Sequence, residues 1–310
     1  MLDNPGNAET SCWHEGERRL QQLAGAADRL AAIGPNVLRT YLTEQHRSFY
    51  PLLPFITIGA VDRSGDAWAT LRAGHPGFLH SPDPVTLAID VQRDAWDPAE
   101  AGMEDGDQIG LLGIDRLTRR RNRLNGEIRR EDARSFAVKV GQSFGNCPRY
   151  IHGRAYAFAR DPSRPPALPA TVLDRLDALA RRIIGQAVSF YVASYVDAGQ
   201  SGRQVDVSHR GGPAGFVRID ADGVLTVPDY AGNLFFNTLG NLIVNPRAGL
   251  TFVDDGTGDM LQMTGVAEVN LTPPDLPGFE EAERSWRFRP RRIVHRPDAL
   301  PLRWAPADGE

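Results

Sequence analysis

The chain repeats itself, and four ordered matches between its halves constrain its fold more than any other feature. Phe55-Ile56-Thr57-Ile58-Gly59-Ala60-Val61-Asp62 aligns with Phe190-Tyr191-Val192-Ala193-Ser194-Tyr195-Val196-Asp197. Gly74-His75-Pro76-Gly77-Phe78 lies over Gly212-Pro213-Ala214-Gly215-Phe216, and Gly110-Leu111-Leu112-Gly113-Ile114-Asp115 over Gly249-Leu250-Thr251-Phe252-Val253-Asp254. Leu124-Asn125-Gly126-Glu127-Ile128 then matches Met263-Thr264-Gly265-Val266-Ala267, and the interval from Gly110 to Gly126 equals that from Gly249 to Gly265. Ordered matches of this kind are what a tandem duplication leaves. The matched stretches are short runs rich in β-branched residues, punctuated by Gly and Asp-Gly, the pattern of strands joined by tight turns. A duplicated β unit can set two like domains face to face within one chain, as two-fold homodimers do with two chains.

The 310 residues suffice for two domains, each with its own core. Residues 1–48 are expected to form an N-terminal helical extension. Leu20, Leu23, Ala27, Leu30 and Ala31 recur at helical spacing over Glu15–Ile33, Gly34-Pro35 ends that helix, and Asn36 can cap a second one running toward His46. Residues 49–160 are the first β copy. It opens with a hairpin (Phe55–Asp62, Ala67–Leu71), crosses an acidic surface excursion at Gln92–Asp107, and continues through strands at Gln108–Asp115, Arg121–Arg130 and Ala133–Gly141. A Pro-rich linker and a helix over Thr171–Ile184 occupy residues 161–188.

The second copy, residues 189–270, has strands at Asp206–Ser208, Phe216–Ile219, Leu225–Val227, Gly249–Val253 and Met260–Val269. Within it a short helix spans Asn233–Asn245 and stops at Pro246. Residues 271–310 supply a last strand with arginines on one face and a closing segment, Pro297–Trp304. The copies are not equally equipped. Only the second has the helix, and only the first has Arg119-Arg120-Arg121-Asn122-Arg123, where the second reads Gly258-Asp259-Met260-Leu261-Gln262. Such divergence fits one composite site kept between the two.

Composition removes several function classes. Lys139 is the only lysine, so no P-loop exists and a Schiff base would have a single candidate. The net charge of −4 and the absence of aromatics among Arg119–Arg123 argue against a nucleic-acid partner. The two cysteines make no disulfide framework, no apolar run is long enough to span a bilayer, and a cytoplasmic protein is expected. The histidines lack metal-ligand spacing, and no Ser-His-Asp set can be proposed from their order.

Neutral hydrogen-bonding groups and arginines supply the candidate site. Ser208 and Arg210 follow a strand and precede Gly211-Gly212, where backbone can approach a ligand; an arginine fork matches phosphate, although a solvated turn has the same pattern. Asn233, Asn237 and Thr238 open the short helix, as caps, as an anion site, or as both. Gln262 and Thr264 share one strand face, and a Gln can meet the donor–acceptor edge of a planar ring; surface polarity is the alternative. Arg121 and Arg123 point the same way, either along a solvated edge or into an inter-copy site.

Several motifs carry a family resemblance. D-V-S-H-R-G-G-x-x-G-F-V, P-D-Y-x-G-N-x-F-F-N-T-L-G-N, N-P-R-A-G-L and L-Q-M-T-G-x-A-E resemble the FMN-binding split-barrel proteins related to pyridoxamine 5'-phosphate oxidase. The first half is similar to their double-barrel branch through G-L-L-G-I-D-x-x-T-R-R-R-N-R-x-N-G and Q-S-F-G-N-C-P-R-Y-I, and the match covers roughly Phe49 to Trp304. The resemblance implies a mainly β (α+β) chain of two tandem FMN-binding split β-barrels. FMN would lie at their interface, its phosphate on strand and helix polar groups and its ring edge near a strand Gln. The function expected is FMN-dependent redox chemistry on a small molecule, with a reduced nicotinamide as candidate electron donor and a homodimer as candidate assembly. The competing expectation is a non-catalytic carrier of flavin, deazaflavin or haem. One departure stands out: the oxidase's phosphate cradle includes a lysine, whereas the matching helix here carries Asn and Thr, which counts against pyridoxamine phosphate as substrate.

Overall fold

A computed structural model describes residues 11–130, 132–197, 199 and 202–307. Two antiparallel sheets carry most of the chain. The first contains β1 (Phe55–Val61), β2 (Ala67–Ala73), β3 (Leu79–Asp83), β4 (Thr86–Ile89), β5 (Gln108–Asp115), β6 (Arg120–Arg129) and β7 (Phe136–Gly145). After β8 (Arg154–Phe158) and β9 (Thr171–Leu173), the second is built from β10 (Ser189–Asp197), β11 (Arg203–Gly211), β12 (Arg218–Ile219), β13 (Leu225–Tyr230), β14 (Arg247–Val253), β15 (Met260–Asn270) and β16 (Ala282–Arg296). The strand order is β2-β1-β5-β6-β7-β4-β3 in one and β11-β10-β14-β15-β16-β13-β12 in the other, with β9 added to β16. Counted from its own first strand, each sheet has the same order. Neither hydrogen-bonded path closes among the described residues.

The two sheets share a defect as well as an order. The register shifts between Asn125 and Gly126 where β6 meets β7, and between Thr264 and Gly265 where β15 meets β16. A Cβ on Gly126 would lie 2.0 Å from the Lys139 carbonyl oxygen, and one on Gly265 would lie 2.1 Å from that of Arg289. Only glycine lets the backbones approach so closely at these bulges.

Each sheet has its own core, and a third core joins them. Phe49, Ile56, Trp68, Leu111 and Val138 pack under the first sheet; Ile184, Phe190, Leu250, Trp286 and Phe288 pack under the second. Between the sheets lie Phe55, Ala67, Leu71, Leu112, Tyr191, Val205 and Val207, all buried. Each large side chain buried this way contributes about 1.5–3 kcal/mol. A Cβ on Gly110 would sit 2.9 Å from the Val205 carbonyl oxygen, and one on Gly249 would sit 2.3 Å from that of Ala67. The seam is therefore backbone against backbone at two corresponding points.

The helices depart from the periodicity. What reads as one helix over Glu15–Ile33 is two, α1 (Glu15–Leu23) and α2 (Ala27–Val37), parted where Gly25 turns left-handed at φ 64°. Gly34 and Pro35 lie inside α2 rather than ending it, and the helix stops two residues after the proline; a Cβ at Gly34 would meet Cys12 Sγ at 2.4 Å. The next helix, α3 (Glu44–Phe49), is capped by Thr43, not Asn36. Thr171–Ile184 resolves into β9 and α4 (Ala178–Gln186), whose start Asp177 fixes by accepting from the Ala180 N–H at 2.8 Å. The expected strand at Phe216–Ile219 shortens to β12. The segment read as an acidic surface excursion is in part core, since Asp94, Asp97, Ala99 and Met103 are buried. Far from lying outside the second sheet, β16 runs between β15 and β13, while β17 (Leu302–Pro306) pairs with β8.

One helix belongs to the second half alone. α5 (Asn237–Val244) begins later than its pattern suggests, because Leu234 and Phe236 adopt left-handed backbone at φ 63° and 61°. The extension crosses it closely: a Cβ at Gly16 in α1 would lie 2.0 Å from the Gly240 carbonyl oxygen in α5. No helix among the described residues is long and apolar enough to cross a membrane.

Candidate functional site

A cavity of about 110 Å³ opens where β6 of the first sheet meets β11, β13 and α5 of the second. Strand alternation puts Arg121 and Arg123 on one face of β6, and Asp206, Ser208 and Arg210 on one face of β11. The two rows meet at Arg123. Its Nη1 donates to Asp206 Oδ1 at 2.7 Å and to Asn237 Oδ1 at 3.1 Å, and its Nη2 donates to Ser208 Oγ at 2.6 Å. The Ser208 and Thr238 hydroxyls lie 2.7 Å apart. Arg210 and Arg284 both grip Asp229, at 2.6 Å and 3.1 Å.

Arg121 is the exception. Its Nε donates to the Cys147 carbonyl oxygen at 2.7 Å and its Nη1 approaches His209 Nδ1 at 3.4 Å, but no carboxylate pairs with it among the described residues. Burial, followed by the neighbouring Arg123 charge, pushes its pKa down to about 10. It remains a cation at neutral pH. His209 is buried too, and burial followed by Arg121 and Arg116 holds its pKa well below 6.5. It is therefore neutral, and Nδ1 accepts from Arg121. In all, Arg121, Arg123, Arg149, Arg210 and Arg284 meet three neighbouring carboxylates, Asp206, Asp229 and Glu283, so the wall has an excess of positive charge. Arg123 Nε, Arg210 Nε and Asn146 Nδ2 are buried without a hydrogen-bond partner, and an unmet buried donor costs about 1–3 kcal/mol.

Backbone strain gathers at the same place. Of the five non-glycine residues with positive φ among the described residues, three line this cavity: Tyr150, Leu234 and Phe236. Such conformations cost about 1–3 kcal/mol each and concentrate at binding sites. At the cavity's edge Tyr150 and Tyr230 stack with ring centroids 5.4 Å apart and planes 28° from parallel. Tyr150 is held there by donating its hydroxyl to the Ala231 carbonyl oxygen at 3.0 Å.

Seven candidate residues come together around this space: Arg121, Arg123, Ser208, Arg210, Asn233, Asn237 and Thr238. Gln262 and Thr264 do not. The Gln262 amide is spent elsewhere, donating to the Ala69 carbonyl oxygen and to Asp97 Oδ1, both at 3.0 Å, and accepting from Arg296 at 3.3 Å. Thr264 is buried with its hydroxyl unpartnered. Asn237 is not a cap, because α5 starts with no side-chain cap; its Nδ2 donates to Glu17 Oε1 at 2.6 Å. That glutamate reaches in from α1, and burial raises its pKa to about 8.

Sequence reasoning missed Glu17, Asn146, Arg149, Tyr150, Asp229, Tyr230 and Arg284. Asn146 to Tyr150 and Asp229-Tyr230 do stand inside two of the quoted motifs. Glu17 and Arg284 have no local signal, because long-range packing alone brings them here.

No protein-family profile matches the chain, and no curated protein matches it. Among solved structures, HutZ, the heme storage protein from Vibrio cholerae, is 15% identical over 40% of this chain and 95% of its own, with a TM-score of 0.28. A putative pyridoxamine 5'-phosphate oxidase from Corynebacterium glutamicum is 17% identical over 43% of this chain and 100% of its own, with a TM-score of 0.28. The FAD binding protein from Mycobacterium smegmatis is 14% identical over 42% of this chain and 100% of its own, again with a TM-score of 0.28. Likenesses this slight carry no functional inference.

Proposed function

We propose that the cavity receives the phosphate end of a flavin nucleotide, FMN, and that the two sheets of like order are tandem split barrels descended from one duplicated unit. The observation that carries this reading is Arg121: a half-buried guanidinium with no carboxylate partner among the described residues, in one cavity with the Ser208 and Thr238 hydroxyls and Arg210. That donor set suits a dianion, since charge-assisted bonds to phosphate are the strong ones. Arginine and hydroxyl groups here take the part that a lysine has in the oxidase cradle.

Size limits how the ligand lies. Sites for drug-sized ligands run to about 300–1,000 Å³, so an enclosed space of about 110 Å³ admits the head group and leaves the ring at the open edge beside Tyr150 and Tyr230. The ring does not enter the seam, which backbone contacts fill. Bound there, a flavin would supply electron transfer to or from a small molecule. The chain's own residues would grip the phosphate, orient the ring and fix the local charge; no general acid or base is assigned. A haem-type ligand is the second reading, because His209 and Cys147 both line the cavity; the lone pair His209 would offer is already engaged by Arg121.

The visible spectrum of the purified chain, with the released cofactor identified by mass, tests the reading. Flavin bands and the mass of FMN are expected, and a Soret band would replace this conclusion with the haem reading. Oxidation of a reduced nicotinamide by the flavin-loaded chain would separate an oxidoreductase from a carrier.

A further inference from the structure

Matching the two sheets by their bulge glycines locates a counterpart of the Arg121 cavity in the first half. Arg123 stands three residues before Gly126, as Gln262 does before Gly265. Asn146 follows the last residue of β7 in the register, and Arg296 stands at the same point in β16. Asn237 opens α5; Asp97 opens the 3-10 turn Pro98–Gly102. Two contacts then fall in corresponding places, the second with donor and acceptor exchanged. Arg123 donates to Asn237 Oδ1 at 3.1 Å, and Gln262 donates to Asp97 Oδ1 at 3.0 Å. Asn233 Nδ2 donates to Asn146 Oδ1 at 3.3 Å, and Arg296 donates to Asp94.

The geometry is shared and the charge is inverted. Where the Arg121 cavity presents the Asn233 and Asn237 amides and an arginine with no carboxylate among the described residues, its counterpart presents Asp94, Asp97 and Glu100 already bound by arginines. Arg72 contacts Asp97 and reaches Glu100 at 2.8 Å, Arg296 reaches Asp97 at 2.9 Å, and Thr70 also donates to Asp97. All of these except Glu100 are less than 10% exposed, and each arginine of this network has a carboxylate partner. A cavity of about 490 Å³ adjoins this network, lined by Arg72, Phe78, Asp94, Arg296 and Leu300 among others. Room for a ligand is present, but the buried arginines beside it are already paired; Arg134, the lining arginine with no carboxylate among the described residues, is exposed.

We propose that this is the remnant of a second ligand site in which Asp94 and Asp97 permanently occupy the place of a ligand's anion, so that the chain binds one anionic ligand, at the Arg121 cavity. The identity of that ligand rests on the reading above, whereas the self-occupied remnant does not. Carboxylates held by two arginines, a threonine and a glutamine offer an external phosphate only repulsion.

Two measurements on the full chain test this. FMN titrated into the protein in equilibrium dialysis is expected to bind once per chain, with Arg121→Ala weakening it at least 10-fold. In the Arg121→Ala background, inorganic phosphate is expected to leave the melting temperature unchanged. Adding Asp94→Asn and Asp97→Asn, which frees Arg296 and leaves Arg72 only Glu100, is expected to create a phosphate-dependent rise in melting temperature. Two flavins per wild-type chain, or a folded variant that gains no response to phosphate, would overturn the inference. Should Asp97→Asn unfold the 3-10 turn, flavin retained by Arg121→Ala at the second cavity would overturn it equally. A wild-type chain that ignores FMN while the Asp94/Asp97 variant gains phosphate binding would sink the flavin reading and leave this one standing.

Discussion

At the scale of single residues, Arg121 and Glu17 are the informative pair. Hydrogen bonds to charged groups are worth about 1.5–3 kcal/mol, so Arg121→Ala is expected to weaken FMN binding by about 10- to 100-fold without lowering the melting temperature. Arg121→Lys should recover part of the loss, since charge returns without the fork. An Arg121→Ala protein that binds FMN as tightly as wild type would remove the phosphate assignment. Glu17 tests the other side of the site. Its folded pKa, about 8, lies above its ordinary value of 4.5, so the folded chain keeps a proton that the unfolded chain has lost. Its contribution is intact below about pH 4.5 and drains away as pH rises toward 8, at roughly 1.4 kcal/mol per unit. Urea midpoints at pH 5 and pH 8 should therefore differ less for Glu17→Gln than for wild type. Equal slopes would show that α1 does not bury this carboxyl. His209 works in the opposite sense: its lowered pKa means stability falls as pH drops below 6.5. Ser208, Arg210, Asn237 and Thr238 were legible because their types and motif positions announce polar chemistry. Gln262 misled, because alternation tells which residues share a face and says nothing of which cavity that face meets.

At the scale of elements, the crossing of α1 over α5 decides whether the site is complete. The two helices touch at Gly16 and Gly240, Gln21 donates to the Phe235 carbonyl oxygen at 3.3 Å, and Trp13 packs on Phe235 with centroids 4.9 Å apart. Gly16→Ala places a methyl group into the Gly240 carbonyl, and overpacking of that kind costs about 1–3 kcal/mol. It should also weaken FMN binding, because Glu17 can no longer hold Asn237. A variant with lower stability and unchanged affinity would show that the extension is structural only. Apolar spacing revealed that the N-terminal segment is helical. It did not reveal the division at Gly25, where a local cap closes α1 through the Gly25 and Ala26 N–H groups, or the delayed start of α5, which left-handed Leu234 and Phe236 set.

At the scale of the whole molecule, the third core makes the halves interdependent. Phe55, Ala67 and Leu112 from one sheet bury against Tyr191, Val205 and Val207 from the other, and β17 returns from the end of the chain to pair with β8. One cooperative unfolding transition is expected. Residues 1–160 and 161–310 produced separately should each fail to give a stable monomer, with apolar seam residues left exposed. Two separable transitions, or a half that melts cooperatively by itself, would contradict this. Gly249→Val should act like the cut, since its side chain has only the Ala67 backbone to displace.

The sequence by itself determined that this is a β-rich chain whose halves echo each other, because strand periodicity, turn glycines and repeat spacing are local properties written in consecutive residues. It also marked seven of the polar groups that line the cavity, about half of them. Tertiary structure alone decided that Glu17 and Arg284 join them, that Gln262 belongs to the other half's ion network, and that Asp94 and Asp97 are buried rather than solvated. Those outcomes depend on which surfaces meet across long separations in the chain, and pairing over such distances is set by packing and burial of the whole molecule, not by any pattern within a segment.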